Sequence, residues 1–258
     1  MFHGRVSSWN RAQVGGGSLM GAARSNGPER PVRIPAGRVT LDGDLASPEA
    51  ARGVVLFAHG SGSSRFSPRN RYVAQVLREG GLATLLIDLL TPEEEAIDVR
   101  TAQLRFDIRL LAERLVGATD WLFRHPETQR LRVGYFGAST GGGAALVAAA
   151  ELPDVVGAVV SRGGRPDLAG PALARVRAPT LLIVGGRDSP VIEMNREALG
   201  RLRAEKQLEI VPGATHLFEE PGALEEVARL ARAWFQRYLT PANGRGLHPA
   251  AARATRSP

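Results

Sequence analysis

Residues 137–141 read Gly137-Ala138-Ser139-Thr140-Gly141, followed by Gly142, Gly143, Ala144 and Ala145. A serine with glycine two residues away on either side fits a nucleophile elbow, a sharp strand-to-helix turn where larger side chains would collide. The small residues beyond it let the helix close on the sheet. A serine hydroxyl attacks only when a base takes its proton, and histidine titrates near neutrality. The chain has five histidines. His3 and His248 lie in the end segments, and His125 precedes Pro126 at the end of a helical pattern, a surface position. His216, in Pro212-Gly213-Ala214-Thr215-His216-Leu217-Phe218, follows the last β-branched run and precedes the last helical one, which makes it the candidate base. His59 opens His59-Gly60-Ser61-Gly62, a loop able to offer a backbone N–H to an oxyanion, with His59 itself in a structural hydrogen-bonding role. The imidazole needs a carboxylate to fix its tautomer. Asp188, in Gly185-Gly186-Arg187-Asp188-Ser189-Pro190, is preferred over Asp88 and Asp167, which read as turn or capping residues.

These residues must be brought together by regular elements, and the pattern between the ends alternates. Apolar, β-branched runs occur at 54–58, 83–87, 131–136, 155–160, 180–184 and 208–211, each hydrophobic on consecutive residues as a strand buried on both faces should be. Between them lie helical patterns. Ile108, Leu111, Leu115, Ala118 and Leu122 recur at three- and four-residue steps within 107–124, as do Leu224, Val227, Leu230, Ala231, Trp234 and Tyr238. The alternation predicts an α/β fold, a mostly parallel sheet flanked by helices, with an antiparallel edge hairpin over 32–45. Ligands bind such sheets at the carboxyl ends of the strands, and Ser139, Asp188 and His216 each follow a predicted strand.

Length and composition remove several classes of function. The 258 residues are ample for a substantial core. With no cysteine, a disulfide scaffold, a cysteine-ligated zinc site and a cysteine nucleophile are excluded. No apolar run reaches the ~18 residues of a spanning helix, so no membrane is expected as a partner; with the excess charge in the ends and a single lysine, Lys206, among 33 basic residues, nucleic acid is not expected either, and the expected location is cytoplasmic. The net charge of +7 is concentrated at the ends: residues 1–31 carry four Arg and one Glu, and residues 241–258 carry three Arg. Both segments lack apolar periodicity and read as disordered tails around a domain spanning 32–240, with Met20 an alternative start.

The runs Leu56-Phe57-Ala58-His59-Gly60-Ser61-Gly62-Ser63-Ser64, Gly134-Tyr135-Phe136-Gly137-Ala138-Ser139-Thr140-Gly141 and Pro212-Gly213-Ala214-Thr215-His216-Leu217-Phe218 carry a resemblance. Residues 32–239 resemble the α/β-hydrolase superfamily and, within it, the dienelactone hydrolase-like group, including the hydrolase domain associated with phosphoribosyltransferase domains. The resemblance implies hydrolysis of an ester or lactone with Ser139 as nucleophile, Asp188 as acid and His216 as base. It implies an oxyanion hole from the backbone of Thr140 and of Ser61 or Gly60, with neither cofactor nor metal. Dienelactone hydrolases proper carry a cysteine at the elbow; here it is Ser139, so the resemblance does not extend to dienelactone as substrate.

Only about nineteen residues separate the strand ending at Val160 from the one starting at Thr180, where many lipases insert a cap, so little or no cap domain and an open site are expected. Arg162 and Arg165 in that loop, and Arg65, Arg69 and Arg71 beyond the oxyanion loop, are either solvated surface or a site for an anionic substrate group, for which Arg65, Arg162 and Arg165 are the candidates. Glu93, Glu94 and Glu95 could neutralise part of that charge. The partner expected is a small-molecule ester or lactone, with a homodimer possible. Two other classes compete. The spacing of Gly137, Gly141 and Gly143 also fits a short-chain dehydrogenase, but the motif sits mid-chain and no tyrosine is followed four residues later by lysine. A catalytically inactive hydrolase fold acting as a binding module is the other, opposed by the complete set of Ser139, Asp188 and His216.

Overall fold

The computed structural model describes residues 28–240; the two segments expected to be disordered lie almost wholly outside the described residues. The apolar runs form eight strands: β1 (Arg30–Ala36), β2 (Val39–Ala46), β3 (Val54–Ala58), β4 (Ala83–Ile87), β5 (Val133–Ala138), β6 (Val156–Arg162), β7 (Thr180–Gly185) and β8 (Lys206–Val211). They build one sheet in the order β1-β2-β4-β3-β5-β6-β7-β8. β1 and β2 are the antiparallel hairpin, with Ala36 opposite Val39 and Arg30 opposite Leu45. β2 joins β4 antiparallel, and the remaining pairs are parallel. The first strand starts at Arg30, two residues before the expected domain boundary.

The helices are α1 (Pro68–Glu79), α2 (Pro92–Thr101), α3 (Ile108–Leu122), α4 (Thr140–Glu151), α5 (Ser189–Arg201) and α6 (Ala223–Leu239). Successive strand side chains point to opposite faces, and the core divides accordingly. Val55, Phe57, Leu86, Phe136 and Val160 pack under α1 and α6. Leu56, Leu85, Tyr135, Val159 and Leu182 face the other side, under α3, α4 and α5. Each fully buried Leu or Phe contributes about 1.5–3 kcal/mol. Every residue of β3, β4, β5 and β7 is buried. In β8 only Val211 is, contrary to the two-face burial its composition predicted, because β8 is the sheet edge and has a neighbour on one side only.

Helix ends follow local chemistry. Asp107 caps α3 by accepting the Leu110 amide at 3.0 Å, and Ser67 caps α1, where Pro68 occupies the first helical position and has no N–H to leave unpaired. α2 starts with a capping box: the Thr91 hydroxyl accepts the Glu94 amide and the Glu94 carboxylate accepts the Thr91 amide. Its single buried residue is Asp98, which accepts the Leu104 amide at 2.7 Å and the Arg105 amide at 3.0 Å and pairs with the Arg105 guanidinium. Between β6 and β7 stands only a 3₁₀ segment, Pro166–Arg175, interrupted at Gly170; no cap domain is inserted there. β3 has β4 on one side and β5 on the other. The chain therefore winds to opposite sides of β3, and this reversal of strand order opens a crevice at the carboxyl ends of β3 and β5, where the His59–Gly62 loop and Ser139 meet.

Candidate active site

Ser139 joins β5 to α4 at φ 51°, ψ −121°, backbone space that a side chain rarely enters. Such a conformation costs about 1–3 kcal/mol and persists only when its surroundings over-determine it. Here they do: the Ser139 amide donates to the Arg162 carbonyl at 3.2 Å, and its carbonyl accepts the Gly142 and Arg165 amides at 2.9 and 3.0 Å. A Cβ on Gly137 would lie 2.5 Å from the Gly141 carbonyl oxygen, and one on Gly141 would lie 2.3 Å from that of Ala58, so both positions require glycine for close approach. A Cβ on Gly60 would come within 3.0 Å of the Ser139 Cβ, which places the loop after β3 directly against the serine. The Ser61 and Thr140 hydroxyls share a 3.0 Å hydrogen bond that ties this loop to the start of α4. Among the described residues no hydrogen bond engages the Ser61 or Thr140 amide, leaving both N–H groups available beside Ser139.

His216 Nδ1 donates to Asp188 Oδ2 at 2.6 Å. Asp188 follows β7, and its loop is pressed against the histidine's: the Arg187 amide donates to the Ala214 carbonyl, and a Cβ on Gly185 would lie 2.5 Å from that oxygen. The histidine loop is further braced by the Glu220 carboxylate, which accepts the Thr215 amide; that bond holds the carboxyl below its usual range. Phe218, buried at φ 55°, pins the far side. Across the crevice Gly163 abuts the ring, a Cβ there lying 3.5 Å from His216 Cε1.

His59 is spent on structure, as its position suggested. Nδ1 donates to the Gly60 carbonyl at 2.9 Å and Nε2 accepts the Leu89 amide at 3.0 Å, and burial pushes its pKa below the ordinary value. The competing carboxylates are engaged elsewhere. Asp88 accepts the Arg65 amide and pairs with its guanidinium, and Asp167 holds Arg165 through two bonds of 2.9 and 2.7 Å.

The same pairs engage two of the three arginines expected to bind an anionic substrate group. Arg65 is committed to Asp88 and Asp44, and Arg165 to Asp167. Arg162 alone has no carboxylate partner among the described residues. Glu94 pairs with Arg114, not with the rim arginines. The hydroxyl pair of Ser61 and Thr140 and the Asp98–Arg105 clamp were not read from the sequence; a hydroxyl residue at each of the two positions expected to supply an oxyanion hole is the signal that could have found the former. Beyond the His59–Gly62 loop a cleft of about 520 Å³ is lined by Gly62, Ser63, Phe66, Pro92 and Glu95, among others.

A doubly covered, mostly parallel sheet with a strained serine after β5, an aspartate after β7 and a histidine after β8 defines the α/β-hydrolase fold. The chain belongs to the dienelactone hydrolase family, which matches residues 41–240. It is 68% identical to the dienelactone hydrolase from Anabaena variabilis, covering 83% of this chain and 100% of that one with a TM-score of 0.82. A Mycobacterium tuberculosis protein named as a candidate phosphoribosyl transferase is 59% identical over 223 residues, 86% of this chain and 49% of the relative, so the chain spans about half its length. Est1E from Butyrivibrio proteoclasticus, at 16% identity and a TM-score of 0.66 over 80% of this chain and 98% of that one, shares the fold.

Proposed function

We propose that the protein is a serine hydrolase of carboxylic esters or lactones acting through an acyl-enzyme. The observation that carries this reading is the strained Ser139 elbow, tied to Arg162 beside the Gly163 that approaches His216, together with the 2.6 Å bond from that histidine to Asp188. With Nδ1–H held by Asp188, the His216 ring presents Nε2 as the acceptor for the Ser139 proton. The Ser139 oxygen attacks the acyl carbon, and the carbonyl oxygen becomes an oxyanion that the Thr140 and Ser61 amides stabilise. Collapse breaks the ester bond, and the departing alkoxide takes the proton from His216. Water then attacks the acyl-enzyme, giving its proton to His216 and releasing the acid as Ser139 recovers its hydrogen.

The short β6–β7 connection favours small or accessible substrates over lipids held beneath a lid. Membership in the dienelactone hydrolase family supports hydrolysis, and the serine at the elbow, in a chain without cysteine, supports Ser139 as the nucleophile. The test is steady-state hydrolysis of short p-nitrophenyl esters. Ser139→Ala and His216→Ala should each lose about 10⁴-fold in kcat with unchanged far-UV circular dichroism. Retention of more than a tenth of the activity in Ser139→Ala would reject the mechanism.

A further inference from the structure

Asn195, in the middle of α5, is fully buried. Its Nδ2 donates to the Gly164 carbonyl at 3.0 Å and to the Val191 carbonyl, one turn back in the same helix, at 2.7 Å. Both partners are acceptors, so the amide can face them only with its nitrogen. Its Oδ1 is buried and bonds to nothing among the described residues, which is a net cost to stability. A leucine would avoid that cost, and the other buried positions of α5, Val191, Ile192 and Ala198, are apolar. What the asparagine adds is the bond to Gly164. Among the described residues it is the one side chain that bonds the backbone of residues 162–165.

That stretch of backbone touches both halves of the site. The Arg162 carbonyl accepts the Ser139 amide at 3.2 Å and the Arg165 amide donates to the Ser139 carbonyl at 3.0 Å, so Gly164 lies between the two residues that grip the strained serine. Gly163, at φ 50°, donates to the Ile183 carbonyl of β7 and passes against His216. On the other side α5 starts from Asp188, whose carbonyl accepts the Ile192 amide at 2.9 Å. The loop has little slack to absorb a shift at Gly164: a Cβ there would overlap Ser161 Oγ and lie 3.6 Å from Gly142 Cα in α4. The Asn195 amide is thus a short buried link from the helix that begins at Asp188 to the loop that holds Ser139.

We propose that Asn195 is a positioning residue of the hydrolytic site, its amide holding the Gly164 carbonyl to α5 and so setting Ser139 against the Asp188–His216 pair. It acts through the loop and not on the reacting atoms. Its effect on turnover rests on the serine hydrolase reading; the anchoring of the loop does not.

The experiment uses the full chain and two variants. Asn195→Leu keeps the branching at Cγ and removes the donor. Asn195→Ser has a hydroxyl that can donate to the Val191 carbonyl one turn back but is too short for Gly164, and it reports on the link even where Asn195→Leu fails to fold. Steady-state hydrolysis of p-nitrophenyl acetate, the rate at which a fluorophosphonate labels Ser139 and the melting temperature are read together, with the kinetics taken well below each melting temperature. Because a small misplacement can cost about 10²-fold, kcat should fall by roughly 10- to 100-fold with KM nearly unchanged, and labelling should slow by the same factor. In an Asp188→Asn background, where the pair is already broken, Asn195→Ser should add less than about threefold. Ester turnover by the wild type that Asn195→Ser leaves within about twofold, with only the melting temperature lowered, would overturn this inference and leave the serine hydrolase reading standing. A full multiplicative loss in the Asp188→Asn background would also overturn it. A wild-type protein that turns over no ester and takes up no label would overturn the hydrolase reading and the inference with it.

Discussion

Ser139 is held where glycine would be at ease, and the strain is met by three backbone hydrogen bonds and by glycines that admit the backbone to close range. At this scale the sequence was readable wherever residue type is scarce. One G-x-S-x-G and five histidines leave few combinations, and the serine, aspartate and histidine follow from their places after strands. The fate of the arginines was not readable, because Arg65 meets Asp44 and Asp88 only when β2, β4 and the loop after β3 come together. Asp188→Asn should therefore lower kcat by about 10⁴-fold by releasing the His216 tautomer, while Asp167→Asn, which frees only Arg165, should leave ester hydrolysis close to wild type. The reverse pattern in p-nitrophenyl ester assays would transfer the acid role to Asp167. His59 makes a pH prediction. Its folded pKa lies below its unfolded value of about 6.5 because burial disfavours the imidazolium, opposed by the Gly60 carbonyl, Asp88 and Glu95. Its contribution to stability is fully present above pH 6.5 and is lost as pH falls through the lowered pKa. Denaturant titrations from pH 7.5 to 5 should show this loss, and it should be smaller in His59→Asn; equal pH slopes in the two proteins would contradict it.

Among the elements, those with strong periodicity announced themselves. α3 and α6 carry continuous apolar stripes, and the central strands are apolar throughout. α2 was missed because it buries only Asp98 and is held by its capping box and the Arg105 clamp. Its Glu93, Glu94 and Glu95 read instead as a charge cluster. The contact between α4 and β3 makes a separate prediction. Gly141→Ala would drive a methyl into the Ala58 carbonyl, backbone that cannot yield as a side chain would, costing about 3 kcal/mol or more. Gly200→Ala, near the end of α5 with open space around it, should instead stabilise by about 0.5–1 kcal/mol. Chemical denaturation of the two variants checks both signs.

For the whole molecule, the charge is as informative as the sheet. Residues 1–27 and 241–258 contain six arginines and no acidic residue, so residues 28–240 carry a net charge of +1 out of the +7. A polyanion should be attracted through the ends and not through the hydrolase fold. A protein trimmed to 28–240 should elute from a heparin column at distinctly lower salt than the full chain. Equal elution would place the polyanion-binding surface on the domain itself. The order β1-β2-β4-β3-β5-β6-β7-β8 explains why the alternation of runs sufficed to foresee the fold: right-handed crossovers leave few ways to arrange parallel strands with helices on both faces.

The most direct test of the central claim is peptide mapping by mass spectrometry after reaction with a fluorophosphonate, which forms a stable adduct with an activated serine oxygen. The account predicts one adduct, on the peptide containing Ser139, absent in Ser139→Ala and strongly slowed in His216→Ala. An adduct on any other residue, or an active enzyme that takes up no label, would contradict it.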